Sequence, residues 1–253
     1  MCGIIGFTGT SQAADILING LQSLEYRGYD SAGIALVQDD QTKVIKTTGK
    51  VAELRDKVAA TEGTHGTCGI GHTRWATHGG VTTVNAHPHQ TPKVTLIHNG
   101  IIENYKEVAA DLAKKGYTPV SETDTEIAAL LIDSLYEGDP FDALKKADDI
   151  LEGAYGFCVM FKDRPGTIYC MRNASPLVAT HTEDGSYIGS DVVALIPYSK
   201  DYFVVPEHHI VVLEKDAITL YTMDEKEVEP KMLHVDWDTT AAQKGGYDYF
   251  MQK

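Results

Sequence analysis

Cys2-Gly3-Ile4-Ile5-Gly6-Phe7 follows the first methionine of the chain. The run Ile4 to Phe7 reads as a short buried strand that ends at Gly9, and Cys2 stands at its head. Cells readily remove an initiator methionine whose neighbour has a small side chain. Removal would leave Cys2 with a thiol and a free α-amino group on one residue. The amine ordinarily titrates at about 7.7–8.0 and the thiol at about 8.5. One residue then supplies both a nucleophile and the base that activates it. Taken alone, a cysteine at position 2 is more often a small buried residue than a catalyst, so the reading turns on what the rest of the chain provides.

With 253 residues, the chain is long enough for one large domain or two small ones. A net charge of −14 argues against nucleic acid or an anionic membrane as partner, because both require a clustered basic surface. There is no apolar run of membrane-spanning length and no basic segment leading into an apolar one, so neither a membrane helix nor a secretory signal is expected. The four cysteines show no CxxC pairing; Cys68, Cys158 and Cys170 lie in apolar, strand-like stretches and read as reduced core residues of a cytoplasmic protein.

Beyond the first strand, an amphipathic helix is predicted from about Ala13 to Glu25, with Ile16, Leu17, Gly20, Leu21 and Leu24 on one face. Strands are predicted at Ile34–Gln38, Thr67–His72 and Val94–His98, then helices at about Glu103–Lys115, Asp124–Tyr136 and Asp142–Leu151. From Tyr155 onward the pattern is almost all strand, broken by turns such as Arg164-Pro165-Gly166 and Glu183-Asp184-Gly185. Strands joined by short turns favour antiparallel sheets with helices packed outside. With no linker before about residue 238, one domain is expected.

Three segments carry candidate chemistry. Gly71-His72-Thr73-Arg74-Trp75-Ala76-Thr77-His78-Gly79-Gly80 contains an arginine whose planar fork can grip a carboxylate, or else form a structural ion pair with an aspartate. Thr77 and His78 add donors there. His98-Asn99-Gly100-Ile101-Ile102-Glu103-Asn104 contains an Asn-Gly pair that ordinarily makes a hairpin turn. Here the residues after it look helical, which leaves an oxyanion hole from the Asn99 side-chain amide and the Gly100 backbone N–H as the alternative. In Ser121-Glu122-Thr123-Asp124-Thr125-Glu126, Thr123 and Glu126 form a capping box, and Asp124 is either an ordinary first-turn acid or a partner for a substrate ammonium. His72, His78, His87, His89 and Cys68 invite a metal reading, but their spacing fits no common zinc frame.

Together, Cys2-Gly3-Ile4-Ile5-Gly6, Arg27-Gly28-Tyr29-Asp30-Ser31-Ala32-Gly33, Gly71 to Gly79 and His98 to Asn104 resemble, in that order, the motifs of the class II glutamine amidotransferases, which are N-terminal nucleophile hydrolases. Tyr26 and Asn85-Ala86-His87-Pro88-His89 are most similar to the members that feed ammonia to a sugar-phosphate isomerase domain. The resemblance implies an α+β fold, a four-layer αββα sandwich of two antiparallel sheets between helical layers. It implies that Cys2 attacks the side-chain amide of L-glutamine, giving L-glutamate and ammonia through a thioester, with Asn99 and Gly100 holding the oxyanion. Arg74 and Asp124 would hold the α-carboxylate and α-ammonium. Trp75, Thr77 and His78 would line a closing loop, with Arg27 and His87 nearby.

No cofactor and no metal are implied. In a full enzyme the ammonia would convert fructose 6-phosphate to glucosamine 6-phosphate on an isomerase domain of the same chain. Residues 2–238 would then be the glutaminase domain and 239–253 the start of a linker, and a second copy of the chain is a further candidate partner. Two other readings stand beside this one, a metal-dependent amidohydrolase using the histidines and a silent amino-acid-binding module; the glutaminase domain of another class II amidotransferase is a variant of the first.

Overall fold

Ile4 and Ile5 are neighbours on one fully buried strand, yet their side chains enter different cores. Side chains alternate across a strand, so a strand covered on both faces places apolar side chains on both. That covering defines the architecture.

The computed structural model describes residues 2–236. The strands are β1 (Gly3–Gly9), β2 (Ser31–Gln38), β3 (Gln41–Thr48), β4 (Cys68–Arg74), β5 (His89–Gln90), β6 (Val94–Ile102), β7 (Gly153–Phe161) and β8 (Ile168–Asn173). They continue as β9 (Val178–Thr182), β10 (Gly185–Gly189), β11 (Asp201–Val204), β12 (His209–Leu213), β13 (Ile218–Thr222), β14 (Glu227–Val228) and β15 (Met232–His234). The helices are α1 (Ala13–Leu24), α2 (Val51–Ala59), α3 (Tyr105–Lys114), α4 (Asp124–Leu135) and α5 (Pro140–Ile150).

Among the described residues the strands form two sheets, ordered β15-β11-β9-β10-β1-β4-β2-β3 and β14-β13-β12-β8-β7-β6-β5. Every pairing between these strands is antiparallel. Ile5, Phe7 and Leu36 face α1 and α2, while Ile4, Ile70, Ile97, Cys158, Cys170 and Ile188 fill the space between the sheets. On the far side Leu96, Phe157, Val159 and Phe161 pack against α3, α4 and α5. The four-layer αββα sandwich is therefore present. Cys68, Cys158 and Cys170 are buried free thiols within it. Among the described residues, no helix is long and apolar enough to cross a membrane.

The structure departs from the sequence reading in three places. No element is predicted for the stretch that β3 and α2 occupy, and β5, β10, β13, β14 and β15 are additional. β6 does not stop at His98: it runs through Asn99-Gly100 to Ile102, paired throughout with β7. The hairpin is absent as expected, but the helix begins only at Tyr105. The capping box is half-formed. Thr123 Oγ1 accepts from Glu126 N, whereas the Glu126 carboxylate turns back to Val120 N and Ser121 N. The expected linker, 239–253, lies outside the described residues.

Helix α4 carries Asp124 at its start and is pinned at its end. The buried Asp133 carboxylate accepts from Thr91 Oγ1 (2.7 Å) and Lys93 N (2.9 Å), in the turn between β5 and β6. Removing the carboxylate leaves two part-buried donors without their acceptor, where a fully buried one would cost roughly 1–3 kcal/mol. Asp133→Ala is thus expected to lower the urea midpoint of unfolding by far more than an exposed control such as Asp149→Ala, with an unchanged denaturant slope. Equal midpoints would show that the turn is held by other contacts.

Candidate active site

Strand register places Cys2. Gly3 pairs with Thr73 on β4, and Thr73 pairs with Ala32 on β2, so the residue before β1 meets the end of β4 at Arg74 and Trp75. The Arg27–Asp30 loop shapes that end. Gly28 lies so close that a Cβ would sit 2.9 Å from Trp75 N. Asp30 N donates to Arg74 O (3.0 Å), and Asp30 Oδ2 accepts from Ala76 N (2.9 Å). Trp75 N is thereby aimed at Cys2 Sγ, to which it donates at 3.2 Å. Burial pushes the Cys2 thiol up from its ordinary value, against the opposing pull of that N–H and the Arg74 and Arg27 charges.

The second sheet supplies the facing wall. Asn99 Nδ2 donates to Cys2 O at 3.1 Å, so the side-chain amide of β6 reaches the Cys2 backbone. Gly100 adopts φ +132°, and a Cβ there would run into the Ala154 carbonyl on β7. Only glycine permits this bend within a paired strand.

The start of α4 and the loop 76–86 complete the site. Asp124 is not an ordinary solvated first-turn acid: it is 4% exposed, and its Oδ2 accepts from Ile102 N at 2.9 Å. Its Oδ1 lies 4.0 Å from His78 Nδ1. The buried Arg74 guanidinium donates to the carbonyls of His78, Gly79 and Gly80. The loop is fastened to the segment leading into α4 by Asn85, whose Nδ2 donates to Glu122 Oε2 (2.9 Å) and whose Oδ1 accepts from Glu122 N (3.0 Å).

Two cavities meet at Cys2, Trp75, Thr77 and Gly100. The inner one, about 20 Å³, adds Arg74, His78, His87 and Asp124. The outer one, about 510 Å³, adds Arg27, Asn99, Ile101 and Pro176. The ten residues given a nucleophilic, oxyanion or substrate role thus line these two adjoining cavities. Arg27 belongs to its outer wall, where Nη1 donates to Ser190 O (3.1 Å) and pairs with Asp191 Oδ2 (3.2 Å). Asp191 was not foreseen; it lies 164 residues from Arg27 and carries no local motif.

Behind the inner cavity the histidines form a buried belt. His87 stacks on His72 with ring centroids 4.1 Å apart. His87 Nε2 and His98 Nδ1 both bond Thr125 Oγ1, at 2.7 and 2.9 Å, and His89 Nε2 bonds Thr123 Oγ1 at 3.0 Å. Among the described residues no group of three or more His, Cys, Asp or Glu side chains is arranged to hold a metal. Burial lowers all four imidazoles, His72 and His89 to about 3. His87 therefore stands at the site as a neutral ring behind the cavity, with its Nε2 committed to Thr125.

Two antiparallel sheets between helical layers are the architecture of the N-terminal nucleophile hydrolases. A family profile described as a glutamine amidotransferase domain matches residues 82–197. The chain is 42% identical over its full length to a glutamine–fructose-6-phosphate aminotransferase (isomerizing) of Clostridium acetobutylicum, and 45% identical to that of Fusobacterium nucleatum. It spans 42% of the length of each. A solved structure of the allosteric regulatory enzyme of purine biosynthesis superposes with a TM-score of 0.77 at 25% identity, covering 88% of this chain and 49% of that one. The glutamine phosphoribosylpyrophosphate amidotransferase of Bacillus subtilis shares the fold, with a TM-score of 0.75 over 89% of this chain and 50% of that one, at 23% identity. The chain belongs to the class II glutamine amidotransferases.

The histidine belt sets an acid limit on stability. A histidine held below its unfolded value of about 6.5 binds fewer protons in the native state, so stability is lost as pH falls from about 6.5 toward about 3, by up to about 1.4 kcal/mol per pH unit per histidine. Unfolding in urea between pH 7 and pH 4.5 is expected to show this slope. His89→Gln should reduce the slope by about one proton. A slope untouched by the substitution would mean that the buried ring does not remain neutral.

Proposed function

We propose that the chain hydrolyses L-glutamine to L-glutamate and ammonia through a thioester on Cys2. The observation that carries this is the meeting of Cys2 with three kinds of complementary group. A side-chain amide donor lies beside it at Asn99, a glycine-only backbone bend follows at Gly100, and a buried arginine and aspartate share the adjoining cavity. A free amino acid offers one carboxylate and one ammonium, and Arg74 and Asp124 match them in charge.

In the proposed sequence the Cys2 thiol proton moves to the residue's own α-amine, freed by methionine removal, and Sγ attacks the side-chain carbonyl carbon of glutamine. The resulting oxyanion accepts hydrogen bonds from Asn99 Nδ2 and Gly100 N, where preorganised donors are most effective. The α-ammonium returns its proton to the amide nitrogen, the C–N bond breaks, and ammonia leaves. Water, deprotonated by the same amine, then opens the thioester to release glutamate.

A cavity of about 20 Å³ admits a single water-sized body. Glutamine therefore enters by displacing loop 76–86, exchanging the carbonyl partners of Arg74 for its own carboxylate. Trp75, Thr77 and His78 then close over it and keep water from the thioester until ammonia has gone. Within a longer protein like its relatives, residues 2–238 would form the glutaminase domain, and the ammonia would pass to an isomerase domain that makes glucosamine 6-phosphate from fructose 6-phosphate.

The test is to incubate the purified chain with glutamine and assay glutamate and ammonia. Cys2→Ala is expected to abolish turnover with the fold intact. Asn99→Ala should lower kcat by about 10²–10³-fold with little change in KM. Arg74→Lys, which keeps the charge but loses the planar fork, should instead raise KM. Turnover that survives Cys2→Ala would overturn the mechanism, and an Asn99→Ala effect confined to KM would make Asn99 a ground-state contact.

A further inference from the structure

The amide of Asn99 has two ends of nearly the same shape, and only one of them can donate to an oxyanion. Its NH₂ end touches Cys2 O at 3.1 Å. Its oxygen end lies 3.1 Å from Nε2 of His72, a residue of β4 that belongs to the opposite sheet. The same Nε2 lies 2.9 Å from the backbone carbonyl of His98, which can only accept. That contact requires the proton to be on Nε2. Burial keeps the ring neutral, so it carries one proton and no more. The ring also cannot rotate freely: it stacks on His87 at an interplanar angle of 26°, and His87 is tied to α4 through Thr125.

We propose that His72 is a positioning residue for glutamine hydrolysis, holding the oxygen of the Asn99 amide so that its NH₂ faces the atom Cys2 attacks. In the resting site that NH₂ is engaged with Cys2 O. During the reaction it must leave this carbonyl and meet the developing oxyanion. The bond to His72 is the contact that persists, and the amide swings about it without turning over. With no donor at position 72, the amide could present either end to the substrate, and an oxygen facing an oxyanion would raise the barrier. His72 touches neither substrate nor nucleophile in this scheme and acts through Asn99.

The proposal rests on the oxyanion role of Asn99, and its test separates the two. Glutamine hydrolysis is measured for His72→Phe, which keeps a ring against His87 but has no donor, for His72→Gln, which restores an amide donor, and for both Asn99→Ala and the double variant. His72→Phe is expected to lower kcat by about 10- to 100-fold, a share of what one oxyanion donor contributes, with KM within about threefold. His72→Gln should recover most of that loss. In the Asn99→Ala background, His72→Phe should change kcat by less than about twofold, because its target is gone. A full kcat in His72→Phe, or losses that multiply in the double variant, would overturn the positioning role. An unaffected kcat in Asn99→Ala would instead overturn the oxyanion reading. Nitrogen-15 NMR of the wild-type imidazoles needs no variant: His72 is expected as the neutral Nε2–H tautomer at neutral pH, and the Nδ1–H tautomer would refute the proposal.

Discussion

The two sheets are joined beside the site by a hydrogen bond from the Asn99 amide on β6 to the Cys2 carbonyl ahead of β1. A residue at the head of a strand in one sheet can be paired with donors on another only if the sheets hold a fixed offset. The core between them, built from Ile4, Ile70, Ile97, Cys158, Cys170 and Ile188, is close-packed and apolar, so a shift of either sheet would open voids. His72 crosses the same gap from β4 to β6. The approach of Asn99 to Cys2 and the core packing are thus set by the same interface.

The head-group side of the site is built differently. Arg74 comes from the end of β4, Asp124 from the start of α4, and a loop joins them. The arginine is satisfied by that loop's own carbonyls, so the resting site leaves no charged fork unpartnered. Asn85 and Glu122 act as the clasp, and hydrogen bonds from Asn85 and Gly80 hold the Glu122 carboxyl below its ordinary value. A loop fastened at its end and free to exchange partners at Arg74 suits a site that must open for each substrate.

Much of this was legible in the sequence, for identifiable reasons. Cys2, Arg74, Asn99, Gly100 and Asp124 lie in short motifs whose residue types already restrict their chemistry, and the apolar faces of α1 and α4 mark their helices. What was missed lacks a local signal. β3 has one buried position, so its pattern is that of a polar edge. β6 runs through an Asn-Gly pair that by itself signals a turn; the paired strand β7, more than fifty residues on, decides otherwise. Asp191 answers Arg27 only in three dimensions. The histidines were conspicuous by type, but sequence spacing does not reveal burial, and burial makes them a neutral scaffold.

The central claim is that one residue serves as nucleophile and base. Its most direct test is the intact mass of the protein before and after treatment with a glutamine analogue bearing an electrophilic carbon in place of the side-chain amide, followed by peptide mapping. The account requires a chain that lacks its first methionine, a single added analogue, and the adduct on the peptide that begins at Cys2. An adduct formed with residues retained ahead of Cys2, or mapped to Cys68, Cys158 or Cys170, would contradict it.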